Sequence, residues 1–243
     1  MFYIIGIGLS INQITKEATE ILNIVSNIYL DNYTNILSEG DIKELERTIQ
    51  RKIIPINRNE LEVTQEFLKD DTALLVIGNP FSATTHFTLI KDAKKKRLEV
   101  KVIPGISIFN YRGTVGLSEY KFGKTISIVY PIANYKPTSF YDSLIDNLKI
   151  GAHTLCLLDI KTQENKFMTV KDACSILSEI DINKILNNKE CIGLFGLGSK
   201  NQKTIVFKFM DYNNINIDIY PQSLIICGEL NEFERDGLNE FTK

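Results

Sequence analysis

Apolar positions fall along this chain in two alternating rhythms. Residues 2–7 form a short, nearly continuous apolar run, as in a strand buried on both faces, and Gly6, Gly8 and Ser10 end it in a loop. Thr15 then stands where a helix cap belongs, ahead of Ala18, Ile21, Leu22, Val25 and Ile28 at helical spacing. Residues 28–33 read as strand, and Asp41 with Glu44 opens a helix carrying Ile42, Leu45 and Ile49. Residues 53–56 are a third strand, whose Pro55 favours a sheet edge, and Asn59 with Glu62 predicts a further helix. Residues 73–77 are again fully apolar and run into a glycine, a proline and a Ser/Thr cluster. A helix over residues 85–96 and a strand over 99–103 extend the β-α-β order, which predicts a mainly parallel sheet.

Beyond residue 111 the pattern loosens through Gly113, Gly116 and Gly123, which places a domain junction there and predicts domains of residues 1–113 and 114–243. The second half predicts a strand over 125–130, a helix capped by Thr138 and ended by Gly151, and a strand over 154–160. A long helix from Thr169 and Asp172 through Leu186 follows, then strands over 191–195, 204–210 and 224–227, close enough in sequence to make a mixed sheet. The fold class expected is α/β, with two α/β domains and a cofactor cleft between them. Its organising stretch is residues 73–86, a buried strand ending in a turn. Glycine loops at three other strand ends, residues 6–10, 104–107 and 196–199, suggest one shared pocket.

Composition narrows the partner only a little. The chain has 243 residues, 28 basic against 30 acidic and a formal charge of −2, so no overall basic balance points to nucleic acid. No apolar run approaches the ~20 residues of a membrane span. Cys156, Cys174, Cys191 and Cys227 show no C-x-x-C spacing and read as free buried thiols of a cytoplasmic protein, with no signal peptide ahead of them.

The acid, base and ligand chemistry visible in the residues is sparse. Gly6-x-Gly8 lacks the third glycine of a dinucleotide fingerprint, since Ile11 stands in its place, and no phosphate-binding P-loop sequence occurs. His86 and His153 are the only imidazoles, without carboxylates or thiols at ligand spacing, so they read as packing or capping residues and no metal is expected. Ser82, Thr84 and Thr85 read as caps of the helix after the central loop. The basic run at residues 91–97 reads as the outer side and end of that helix, where cations complement its dipole. A glycine-lined cleft without acid/base machinery suits methyl transfer from a sulfonium donor, a displacement that needs alignment and desolvation more than a strong protein base.

The segments IIGIGL, GNPFSATTH, YKFGKTISI, PTSFYDSLIDNLKIGAHTLCLLDIK and SLIICGEL, in this order over nearly the whole chain, resemble the diphthine synthase family. That family lies within the tetrapyrrole-methylase-fold group of S-adenosylmethionine-dependent methyltransferases. The resemblance implies repeated methylation of an aminocarboxypropyl group on a modified histidine of elongation factor 2. It also implies S-adenosyl-L-methionine as cofactor with S-adenosyl-L-homocysteine as product, a homodimer, and neither nucleic acid nor membrane as partner. Carried over by position, it puts cofactor contacts, mostly through backbone atoms, at Leu9, Asn79, Ser82, Ser107, Ile108, Leu158, Leu197 and Gln222. It identifies no catalytic residue, though Asp159 is placed to favour a cationic nitrogen or to tie a strand end. Where the family carries Asp, this chain has Asn79, which implies cofactor binding weaker by about 1 kcal/mol. The stretch Pro104-Gly105-Ile106 is closer to the wider superfamily than to the family, and the C-terminal element after Glu229 reads as short. Other readings of the same residues are a methyltransferase for a small tetrapyrrole and a protein that binds the cofactor or elongation factor 2 without catalysis.

Overall fold

A computed structural model describes residues 1–33, 35–131 and 137–241. Its elements, in chain order, are β1 (Phe2–Gly6), α1 (Lys16–Ile24), β2 (Asn27–Asp31), α2 (Ile42–Ile49), β3 (Ile54–Ile56), β4 (Thr72–Val76), α3 (Phe87–Lys95) and β5 (Val100–Ile103). There follow α4 (Ile108–Tyr111), β6 (Ile126–Ile128), α5 (Ser139–Lys149), β7 (Thr154–Leu158) and the short pair β8 (Ile160–Lys161) and β9 (Lys166–Phe167). The chain finishes with α6 (Val170–Ile180), β10 (Glu190–Phe195), β11 (Lys203–Lys208), β12 (Gln222–Ile226) and α7 (Glu232–Asn239). It divides into two compact units. The first is Met1–Phe109 with Lys161–Asn165 and Gly198–Lys200; the second is Asn110–Ile160, Lys166–Leu197 and Asn201–Lys243.

In the first unit all neighbouring strands are parallel, in the order β3-β2-β4-β1-β5, and β3 with its Pro55 lies at the edge. Both faces are covered, which is why β1 and β4 carry apolar residues at successive positions. Ile5, Ile28, Leu30, Ala73, Leu75 and Ile103 pack with Ala18, Leu22, Leu45 and Ile49 of α1 and α2. Phe2, Ile4, Leu74 and Val76 pack on the other face with Leu61, Phe67, Leu89 and Ala93. Thr15 and Asp41 cap α1 and α2 as expected, their side chains accepting from Ala18 N–H and Glu44 N–H. The helix expected from Asn59 is a single π turn over Glu60–Thr64, and Asn57 ties it, its Oδ1 accepting from Glu60 N–H at 3.1 Å. Glu60 returns a carboxylate oxygen to Asn57 N–H, so the capping logic is right but two residues early.

The second unit holds a mixed sheet in the order β11-β10-β12-β7-β6, antiparallel except for β6 beside β7. Its core joins Ile126, Ile128, Cys156, Leu224 and Ile226 of the sheet to Phe140 and Leu144 of α5 and Val170, Ala173 and Leu177 of α6. Thr169 and Asp172 form a complete capping box at the start of α6. That helix stops at Ile180 and not at Leu186, because the Asp181 carboxylate accepts from Ile185 N–H and Leu186 N–H and turns the chain. Thr138 holds the cap position of α5 without a side-chain bond. The closing helix α7 was not expected from the sequence.

Candidate functional site

In the first unit the parallel strands β4, β1 and β5 are neighbours, so their carboxyl ends open along one sheet edge, where ligands of open α/β folds bind. Three glycines meet there. A Cβ on Gly6 would stand 2.6 Å from Gly105 N and from Gly78 O, and one on Gly105 would stand 2.3 Å from Gly78 O. Gly6 and Gly105 are therefore glycine so that three strand ends can touch. Gly78 differs. It has φ +86° and bonds back to Gly8, yet a Cβ there would meet nothing nearer than 3.9 Å, where Leu9 Cδ2, Ser107 Cβ and Asn35 Nδ2 stand around it. Room for a Cβ thus remains beside Gly78, among one apolar and two small polar side chains.

The loop after β4 is bound to itself. Asn79 O accepts from Ser82 N–H at 3.1 Å, and Asn79 Oδ1 accepts from Phe81 N–H at 3.0 Å. The Pro80 carbonyl receives Thr84 Oγ1 and faces His86 Nδ1 at 3.0 Å, while Ala83 takes a left-handed φ of +60°. Ser82, Thr84 and Thr85 do not cap α3. His86 holds that position without a side-chain bond, and Thr84 spends its hydroxyl inside the loop. On its far side His86 Nε2 lies 3.0 Å from Asp31 Oδ2 at the end of β2, in ion-pair range though without hydrogen-bond alignment, both side chains being fully buried.

The residues carried over from the resemblance fall into two groups. Leu9, Asn79, Ser82, Ser107 and Ile108 lie in the first unit at the glycine edge, with Ser107 Oγ 3.5 Å from Ser82 Oγ and Ile108 opening α4. The backbone of Leu9 is already engaged, its N–H by Gln13 Oε1 and its carbonyl by both the N–H and the hydroxyl of Ser38, which leaves its side chain to face Gly78. Leu158, Leu197 and Gln222 lie in the second unit at one edge of its sheet, where β7 and β10 end and β12 begins. The Gln222 side chain is also engaged: Oε1 accepts from Val170 N–H at the start of α6, and Nε2 donates to Ile217 O. Asp159, next in the chain after Leu158, accepts from Tyr130 N–H at 3.2 Å.

The sequence reading missed a hub in the second unit. Glu234, almost fully buried, accepts from Ser118 N–H, Asn231 N–H, Lys121 Nζ and His153 Nε2. His153 Nδ1 accepts from Gly228 N–H, so its proton sits on Nε2 and its tautomer is settled. Burial pushes the Glu234 carboxyl up, but the Lys121 ammonium and the Asn231, His153 and Ser118 donors outweigh it and hold it at about 2. Burial likewise lowers His153. The signal was available: Asn231 with Glu234 three residues on is a capping-box pattern, and both reciprocal bonds form. The four cysteines are free and buried, and burial pushes Cys174 and Cys227 up to about 12, which unfits them as nucleophiles. Among the described residues no group of three or more His, Cys, Asp or Glu could hold a metal ion, and no helix is long and apolar enough to cross a membrane.

The family model for tetrapyrrole (corrin/porphyrin) methylases matches residues 1–211. A diphthine synthase of Staphylothermus marinus is 38% identical over 98% of this chain and 92% of its own length. A diphthine methyl ester synthase of Bos taurus is 36% identical over 100% of this chain and 95% of its own. A crystal structure from Entamoeba histolytica described as a diphthine synthase superposes with a TM-score of 0.90 at 30% identity, covering 100% of this chain and 98% of that one.

Proposed function

Since the chain belongs to the tetrapyrrole methylase family and, within it, to the diphthine synthases, we propose that it methylates the aminocarboxypropyl-histidine of elongation factor 2. It is an S-adenosylmethionine-dependent methyltransferase of that kind. The observation that carries the cofactor reading is Gly78, a buried left-handed glycine at which a Cβ would make only ordinary van der Waals contact, at 3.9 Å, and would clash with nothing. The other two glycines of the edge are needed for backbone contact; this one is glycine for its φ of +86°, and the room beside it is what this reading gives to a ligand.

The residues present suit the cofactor. S-adenosylmethionine supplies a methyl group on a sulfonium, and displacement by an amine lone pair breaks the sulfur–carbon bond and leaves S-adenosylhomocysteine. It carries no phosphate, and the edge holds no phosphate loop. Leu9 offers an apolar wall, and Ser82 and Ser107 offer hydroxyls that can orient polar groups of the ligand. The three side chains nearest Gly78, those of Leu9, Asn35 and Ser107, are not ionisable, so they contribute alignment and exclusion of water.

The contacts assigned are Leu9, Asn79, Ser82, Ser107 and Ile108 from the first unit and Leu158, Leu197 and Gln222 from the second. With the Gln222 side chain holding the start of α6, its contact would be made by backbone. The enzyme is proposed to work as a cytoplasmic homodimer and to exchange cofactor between successive transfers.

The reading is tested by incubating the protein with methyl-labelled S-adenosylmethionine and elongation factor 2 bearing the unmethylated aminocarboxypropyl-histidine. A ladder of methyl additions on the modified peptide is the expected mass spectrum. Cofactor binding with no addition to the peptide would overturn the substrate assignment.

A further inference from the structure

The buried pair of His86 and Asp31 has no part in the chemistry above, yet it sits directly beneath the loop that carries Asn79 and Ser82. Its two contacts reach different elements. Nδ1 lies 3.0 Å from Pro80 O, six residues back in the same loop, and Nε2 lies 3.0 Å from Asp31 Oδ2, at the carboxyl end of β2. A carbonyl oxygen can only accept, so Nδ1 carries its proton there and donates. The imidazole is 1% exposed and the carboxylate side chain 0%, so neither contact competes with water.

Pro80 O is the fixed point of the loop. It receives both Thr84 Oγ1 and His86 Nδ1, and the turn from Asn79 to Ser82 closes immediately around it. Ala83, with its left-handed φ of +60°, leaves the backbone a reason to relax if that point is released. Hydrogen bonds within the turn set its local shape, and the imidazole connects the turn to the strand beside it. We propose that His86 is a positioning residue for the cofactor, a buried strut from β2 through Asp31 to Pro80 O that sets where Asn79 and Ser82 stand. The proposal rests on the assignment of this loop to S-adenosylmethionine.

The test uses the full chain and S-adenosylhomocysteine as the titrated probe. Asp31→Asn alone keeps the strut, because a side chain of the same shape stays packed beside Nε2 while Nδ1–H stays on Pro80 O; affinity within about threefold of the parent is expected. Adding His86→Leu in that background removes the strut without leaving a buried charge unpaired. This double variant should melt near Asp31→Asn but bind the probe at least about tenfold more weakly. Replacing His86→Leu by His86→Asn, whose carboxamide N–H stands near the place of Nδ1, should recover most of that loss. A folded His86→Leu double variant that binds as tightly as Asp31→Asn would overturn the proposal. So would a loss that His86→Asn fails to recover, since that marks a structural role only. A parent protein that does not bind the probe would instead bring down the cofactor assignment, and the strut with it.

Discussion

Each half of this molecule buries a histidine against a carboxylate at 3.0 Å, and the two pairs do opposite work. In the second unit His153 has one nitrogen accepting from Gly228 N–H and the other donating to Glu234, and that carboxylate collects three further donors. Every polar atom there is committed to fastening α7 to the residues ahead of β6 and β7. In the first unit His86 faces acceptors on both sides and is tied to a loop that carries no regular structure. A buried histidine and carboxylate hold the fold in one place and, as proposed, the shape of the binding edge in the other. What separates them is what the imidazole is fastened to.

The comparison breaks most visibly at the hub. Glu234→Ala leaves Lys121, His153 and two backbone N–H groups without their acceptor in a buried setting, and should cost about 3–5 kcal/mol of stability, read from urea unfolding. The His86→Leu change in the Asp31→Asn background should leave stability near that of Asp31→Asn and move affinity.

Acid sharpens the same contrast. The folded Glu234 carboxyl is held at about 2 against its usual 4.5, so its contribution is complete above pH 4.5 and is lost as pH falls from there towards 2. His153 is lowered from its usual 6.5, so the unfolded chain takes up a proton first and stability also falls as pH drops below 6.5. Unfolding free energy should therefore decline in two stages on the acid side, and His153→Asn should remove the upper one.

How much of this was legible beforehand follows from the range of the forces involved. Strands buried on both faces and helix caps are local, and β1, β4, Thr15, Asp41 and the Thr169–Asp172 box were readable for that reason. The glycine edge was legible as glycines but not as roles: which of Gly6, Gly78 and Gly105 contacts backbone and which has room for a Cβ depends on three strands meeting. The Glu234 hub joins residues 116, 113 and 81 positions apart, which no periodicity reveals, although its own capping box was written in the sequence. The helix expected to run to Leu186 failed because Asp181, an unremarkable residue in sequence, turns its carboxylate onto the following N–H groups.

Two smaller effects refine the binding edge. Asn79 Oδ1 closes the turn onto Phe81 N–H, a bond Asp can make equally well, so Asn79→Asp should keep the loop and add charge. Cofactor affinity should rise about fivefold, the equivalent of about 1 kcal/mol, in a calorimetric titration. Asp159 accepts from Tyr130 N–H, a contact that Asn can keep. The smallest change expected is in Asp159→Asn, whose transfer rate should stay within about twofold at each methyl addition across the pH range, as for a strand-end tie.

The central claim, that the space beside Gly78 receives the cofactor, is tested most directly by titrating S-adenosylhomocysteine into the wild-type chain and into Gly78→Ala. A Cβ at Gly78 has 3.9 Å to its nearest neighbours, so the variant should fold, with only the strain of φ +86° to bear, about 1 kcal/mol. It should bind at least about tenfold more weakly, because the added methyl group takes space assigned to the ligand. A folded Gly78→Ala protein with wild-type affinity would contradict the account.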